Sequence, residues 1–261
     1  MSFASFVIDR YFIKQPRFRR AVTRMVFGKS DRTASIFDLD LYINSQLESG
    51  YLRAAALSRK SSLLRDEVSV LMNLCALLSD GDTFVDIGAN IGIFSSVMAR
   101  AALLRENVRV IAFDADPSTA ARLKVNADRH GFTAINAGIS DHESRATFVR
   151  GSASHITTQL DRKNEHSIAS ETFEIECKPL SSFEIPGKSL ILKIDVEGME
   201  LEVLKGAWSM VDDIKAIYID GMTRQDEIYA MLTEAGFKFR DGRTAQPIKA
   251  GDPIFSLLAI R

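Results

Sequence analysis

From residue 83 onward the chain alternates between two rhythms. Short apolar runs at residues 83–86, 108–113, 133–137, 190–194 and 216–219 read as buried strands. After them, apolar residues recur at helical spacing over residues 91–104, 117–130, 199–206 and 224–235. The helix at 91–104 gathers Ile93, Phe94, Val97, Met98 and Ala101 on one face. Pro117 suits a first helical position, and Gly131 and Gly236 suit helix ends. Strand–helix alternation of this kind predicts a parallel sheet covered on both faces. The last two runs, 237–240 and 254–260, are joined by a Gly/Pro-containing loop with no helix, which predicts a hairpin and an antiparallel edge. Between residues 145 and 178 the rhythm breaks. Two strand-like runs, 146–149 and 173–178, flank a polar loop at 151–170 that reads as a substrate-facing insertion or lid. Ahead of the alternating region, residues 63–78 form an amphipathic helical pattern. Residues 36–43 alternate Phe37, Leu39, Leu41 and Ile43 with Asp38 and Asp40, the pattern of one half-exposed strand.

The first strand carries the first chemical signal. It ends in Asp86-Ile-Gly88-Ala89-Asn90-Ile-Gly92 and runs straight into a helix. Glycines there let a ligand approach bare backbone, and the helix N-terminus faces it. A dinucleotide turn would need Gly-x-Gly-x-x-Gly. This chain has Asn90 at the second glycine position and no glycine at the third, which suits an S-adenosylmethionine (SAM) turn with no pyrophosphate to admit. About 20 residues further on, the second strand ends in Asp114, a carboxylate able to accept hydrogen bonds from both ribose hydroxyls of an adenosine.

Composition narrows the setting. The 261 residues are 46% hydrophobic and 26% charged with net charge −1, which gives no global argument for nucleic acid. Cys75 and Cys177, the two cysteines, lack metal-ligand spacing and suggest a reducing compartment. No apolar run reaches the roughly 18 residues of a spanning helix, and the first residues lack the order of a signal peptide. A cytoplasmic enzyme is expected. Residues 1–30 differ from the rest: seven Lys and Arg face a single acid, Asp9, with Phe and Tyr interleaved, and Pro16 splits the stretch into two short helices. Two readings stay open, a solvated basic face packed on the core and peripheral contact with an anionic membrane or glycolipid.

A second cluster ends the strand at 190–194, where Asp195-Val-Glu197-Gly198 follows Leu190-Ile-Leu-Lys-Ile. Ligands of open parallel sheets bind beyond the carboxyl ends of the strands. Asp86, Asp114, Asp195 and Glu197 all fall there, and Asp220 at the end of the next strand is expected to join them.

The turn from Val85 to Ser95, the segment from Ala112 to Pro117, and Leu192-Lys-Ile-Asp-Val-Glu-Gly-Met-Glu200 resemble the FkbM family of SAM-dependent methyltransferases over roughly residues 63–236. The resemblance implies a Rossmann-like class I methyltransferase fold: α/β, a mostly parallel seven-stranded sheet with a terminal antiparallel hairpin, helices on both faces, and residues 1–62 as an extension of a domain at 63–261. It implies methyl transfer to hydroxyls of sugars or polyketides. Asp86, Gly88, Ala89, Asn90 and Gly92 inherit the methionyl site, and Asp114 with Ala115 the ribose site, where the family more often has Glu-Pro. Gly138, in Ala137-Gly-Ile-Ser-Asp141, inherits the adenine side.

An alcohol attacks poorly at neutral pH and needs a general base or a metal ion. Asp195 and Glu197 are the candidate bases, with His155 in the 151–155 turn the weaker one. Mg²⁺ held by carboxylates is compatible with the inventory but not favoured. The expected acceptor is a sugar hydroxyl in a cell-surface glycan or glycolipid, with a polyketide- or lipid-like metabolite or a non-catalytic scaffold as alternatives.

Overall fold

The computed structural model describes residues 16–52, 62–150, 157–159 and 171–261. Helix α1 (Pro16–Phe27) opens it, with proline at its start. Strands β1 (Asp31–Ile36) and β2 (Leu39–Asn44) follow, then α2 (Ser62–Leu77). The alternating region runs β3 (Thr83–Ile87), α3 (Ile93–Ala102), β4 (Arg109–Asp114), α4 (Pro117–His130) and β5 (Thr133–Asn136). Four short strands interrupt it: β6 (Gly138–Ile139), β7 (Ser144–Arg150), β8 (Thr157–Gln159) and β9 (Glu171–Lys178). It resumes with β10 (Leu190–Ile194), α5 (Glu200–Ala207), β11 (Ile214–Asp220) and α6 (Gln225–Glu234), and closes with β12 (Lys238–Asp241) and β13 (Ser256–Ile260).

The main sheet has seven strands in the order β12-β13-β11-β10-β3-β4-β5. Strands β10, β3, β4 and β5 pair in parallel, as do β10 and β11, whereas β13 runs antiparallel to both β11 and β12. The expected hairpin edge is present, and the order is that of a class I methyltransferase. The chain builds outward from β3 to β4 and β5, then returns to lay β10 on the other side of β3. The switch point therefore lies between β3 and β10, and the cleft opens beyond their carboxyl ends.

Every residue of β3 and β10 is buried. Leu190, Leu192 and Ile194 pack with Val85 and Ile87 against α5 and α6, while Ile191 packs with Phe84, Leu74 and Met98 on the other face. Each such side chain contributes about 1.5–3 kcal/mol of burial. Strand alternation puts Lys193 on the same face as Ile191, among apolar neighbours.

One expectation is corrected. Residues 36–43 are not one strand, because β1 and β2 form an antiparallel hairpin with Ile36 opposite Leu39. Phe37 and Asp38 both take positive φ, 54° and 61°, as a two-residue hairpin turn requires. Alternation in β2 is real, with Leu39, Leu41 and Ile43 buried; it simply does not extend through the turn. The hairpin packs Ile36, Leu41 and Ile43 with Ile91 and Ile93. Glu48 just beyond it forms a buried pair with Arg122 of α4 at 2.8 Å.

The insertion is a four-stranded sheet, β6-β9-β7-β8. Strands β7 and β9 fall at the two expected strand-like runs, and they pair antiparallel. The expected lid at 151–170 lies outside the described residues except for β8, and so does the first half of the basic 1–30 stretch. Helix α3 begins at Ile93 instead of Ile91 because Asn90 and Gly92 hold φ of 53° and 82°, which no right-handed helix admits.

Candidate active site

The turn after β3 is tied to both neighbouring strands. Gly88 and Ala89 donate to the Phe113 carbonyl at 3.0 and 2.9 Å, and Asp195 donates its backbone N–H to the Ile87 carbonyl at 3.0 Å. Gly88 is required by this closeness: a Cβ there would lie 1.9 Å from the Asp195 carbonyl oxygen. Gly92 has a different reason. Its Cβ would meet Leu123 at 2.7 Å and Phe132 at 2.9 Å, so it lets α3 seat against α4 and lies off the cavity wall.

Beyond the turn opens a cleft that encloses about 970 Å³ with the open solvent at its mouth included. On its β4 side the wall consists of Phe113, Asp114, Ala115, Asp116, Gly138 and Ile139. On its β10 side it consists of Lys193, Asp195, Val196, Glu197 and Met199, with Tyr51, Glu67 and Phe94 also lining it. Gly88, Ala89 and Asn90 line the cleft as well.

Asp114 is anchored by backbone. Its Oδ2 accepts the Asn90 N–H at 2.9 Å and its Oδ1 accepts the Asp116 N–H at 3.0 Å. Each oxygen keeps further acceptor capacity for a ligand hydroxyl. Burial outweighs these bonds and raises the carboxyl to about 7. Asp116 is committed elsewhere, capping α4 by accepting the Ser118 and Thr119 N–H groups.

Asp86 is fully buried beneath the turn and does not line the cleft. It accepts the Ser95 hydroxyl at 2.7 Å and pairs with the Lys193 ammonium at 2.9 Å. Lys193 is the residue that the sequence reading missed. Its side chain is 3% exposed, yet Nζ also reaches the Gly88 carbonyl at 3.1 Å and Asp195 at 3.4 Å, and lies 5.2 Å from the centre of the Phe94 ring. Burial alone would strip its proton, but Asp86 and Asp195 together push its pKa above the ordinary lysine value, so the ammonium persists. One signal was available: a lysine inside an otherwise apolar buried strand implies an acid within reach.

Asp195 and Glu197 share the cleft wall, as the β10 motif predicts. Burial raises Glu197 to about 7, assisted by the charges of Asp195, Glu200 and Asp220. Asp220 lies close enough to interact with this group but is not on the cleft wall; its carboxylate accepts the Tyr218 hydroxyl at 2.9 Å. Burial and Asp195 raise its pKa too. His155 lies outside the described residues. Among the described residues no three His, Cys, Asp or Glu side chains converge as metal ligands.

The description of the methyltransferase FkbM domain matches residues 86–239 of the chain, which include the turn, Asp114 and the β10 motif. The chain belongs to this family. It is a methyltransferase, and SAM is the cofactor that its family uses. The hexuronic acid methyltransferase AglP of Haloferax volcanii is 29% identical over 183 residues, covering 66% of this chain and 70% of that protein. Methyltransferase 1 of Beauveria bassiana is 28% identical over 184 residues, covering 60% and 73%. Among solved structures, a TehB-like SAM-dependent methyltransferase from Corynebacterium glutamicum covers 82% of this chain and 97% of its own at 11% identity, with a TM-score of 0.44.

Proposed function

We propose that this FkbM-family methyltransferase transfers the methyl group of SAM to a sugar hydroxyl in a glycan or glycolipid, with Glu197 or its neighbour Asp195 as general base. The observation that carries the reading is the shared wall of one cleft: Asp114 on one side of the glycine turn, and Asp195 with Glu197 on the other. The donor set suits SAM. Among the described residues five acids, Glu67, Asp114, Asp116, Asp195 and Glu197, line the cleft beside one ammonium, that of Lys193. A cationic cofactor fits such a field, whereas a dinucleotide pyrophosphate is repelled by it.

In this reading Asp114 accepts the ribose hydroxyls, Ala115 leaves room beside them, and Gly138 with Ile139 borders the adenine. Gly88, Ala89 and Asn90 pass the methionyl portion over their backbone. SAM, when bound, supplies an electrophilic methyl on a sulfonium. The protein's own work is to hold the acceptor oxygen in line with it and take the hydroxyl proton. Glu197, raised to about 7 by burial, suits that proton transfer. Asp195, beside it, lies 3.4 Å from the Lys193 ammonium.

The printed name of AglP, a hexuronic acid methyltransferase, supports a sugar acceptor. Peripheral contact with an anionic membrane belongs to the same proposal. Exposed Met25 and Val26 sit beside Arg24 at the end of α1, the pairing an interfacial helix uses. No helix among the described residues is long and apolar enough to cross a membrane.

The test is product mass after incubation with SAM and a panel of uronic-acid and deoxysugar glycans, run with and without EDTA. A one-methyl gain on a glycan that survives chelation supports the base mechanism. Activity lost in EDTA and restored by Mg²⁺ assigns proton removal to a metal. A methylated polyketide-type hydroxyl with no glycan product overturns the acceptor.

A further inference from the structure

The first turn of α5 carries two buried acids, Glu200 and Glu202, that are not on the cleft wall. Glu200 is 1% exposed, and a carboxylate taken that far from water needs strong donors. Its Oε1 accepts the Gly198 N–H at 2.7 Å. Its Oε2 accepts the Thr223 hydroxyl at 2.7 Å and the Thr223 N–H at 3.2 Å. Gly198 directly follows Glu197, and Thr223 stands three residues beyond Asp220, where β11 ends. One side chain therefore joins the turn after β10 to the loop after β11. Glu202 strengthens the same junction by pairing with Arg224, the next residue of that loop.

An acid that served only the dipole of its own helix would have no need of Thr223, 23 residues away in sequence. The turn it holds has little else to define it. Gly198 takes φ of 96°, and no described neighbour lies within 4 Å of where a Cβ would be, in contrast to Gly88. Hydrogen bonds, more than packing, set the direction in which this turn sends Glu197. Charge acts through the same side chain. Asp195 at the end of β10, Glu200 on α5 and Asp220 at the end of β11 all bear on the Glu197 carboxyl, and Lys193 stands on the same cleft wall.

We infer that Glu200 is a positioning residue for methyl transfer: by tying Gly198 to Thr223 it fixes the Glu197 carboxylate on the cleft wall, where the acceptor hydroxyl must present its proton. This inference rests on the reading of Glu197 as base given above. Thr223 is the other half of the clamp. The clamp does two separable things. Its hydrogen bonds set the direction of Glu197, and the negative charge of Glu200 helps set the pH at which Glu197 releases its proton.

The test takes three readings on the full-length protein. They are turnover of whichever panel acceptor gains the methyl group, SAM affinity by calorimetry, and the titration of Glu197 by carboxyl ¹³C NMR, its resonance being the one missing from Glu197→Gln. Glu200→Gln keeps one acceptor oxygen and removes the charge. It is expected to lose turnover about tenfold or more at unchanged SAM affinity, and to move the Glu197 titration to lower pH. Thr223→Val cuts the link and keeps the charge, so turnover falls by less and the titration stays in place. Unchanged turnover in both variants overturns the inference, as does an unmoved titration in Glu200→Gln. SAM affinity that falls in step with turnover also overturns it, since Glu200 would then support the fold as a whole. If Glu200→Gln does not fold, Thr223→Val decides alone, and wild-type turnover there overturns the clamp. Full turnover in Glu197→Gln removes the base assignment itself, a result distinct from all of these.

Discussion

The two sides of the cleft are built differently. The β4 side comes from one short stretch of chain, in which the glycine turn, Asp114 and the cap of α4 are all fixed by backbone hydrogen bonds. The β10 side joins four separated segments: Tyr51 and Glu67 line the cleft there, and Asp86 with Asp195 flanks the buried Lys193 ammonium. The first arrangement is local and rigid, suited to recognising an adenosyl group. The second is electrostatic and poised, suited to a cationic cofactor and a proton transfer.

If that contrast is right, substitutions on the two sides separate binding from chemistry. Asp195→Asn and Glu197→Gln should retain SAM affinity and lose turnover by roughly 10²–10⁴-fold in single-turnover assays. Intact turnover in both would move the chemistry away from β10. Lys193→Met breaks a buried ion pair, a change of about 3–5 kcal/mol. Its expected readout is a drop in Tm of roughly 10 °C by calorimetry, and an unchanged Tm would mean that the pair is not formed.

On the other side, Asp114→Ala removes the acceptor of two ribose hydroxyls and should cost at least about tenfold in SAM affinity. Unchanged affinity would show that the ribose lies elsewhere.

The pH dependence should separate the two sides as well. Burial raises both Asp114 and Glu197 to about 7. Each binds its proton more tightly folded than unfolded, so their contribution to stability is intact below the ordinary carboxylate range and declines as pH rises through 7. The unliganded protein should accordingly show this loss of Tm between mildly acidic and mildly alkaline buffer. SAM affinity should rise over the same interval as Asp114 ionises, and turnover at saturating SAM should rise as Glu197 does. A flat turnover profile would remove Glu197 as the base.

The smallest effect concerns residues 1–30, whose deletion should reduce recovery with anionic liposomes in low salt and make no difference in high salt. Equal recovery of both forms returns the segment to a packed basic face.

The same contrast explains what could be read from the chain itself. Strands β3, β4 and β10, helix α4 and the closing hairpin were legible because apolar period and glycine or proline punctuation are local properties. The hairpin of β1 and β2 was not. Its turn residues, Phe37 and Asp38, carry none of the Asn-Gly chemistry that marks such turns, and alternation on both sides reads as one strand. In the site, Asp114, Asp195 and Glu197 stand at strand ends where an acid is conspicuous. Lys193 went unread because its partners Asp86 and Gly88 belong to the segment around β3, distant in sequence. Tyr51 and Glu67 had no sequence signal, since only tertiary packing brings them to the cleft: residues 31–52 pack on α3 and α4, and α2 packs on β3 and α3.

The central claim is that one acidic cleft takes the adenosyl ribose of a cationic cofactor at Asp114, beside the carboxylates that take the acceptor's proton. Calorimetric titration of the wild-type protein with SAM, and separately with NAD, tests it most directly. The account predicts saturable binding of SAM at one site per chain and no measurable binding of NAD. Binding of NAD with affinity equal to or tighter than SAM would contradict it.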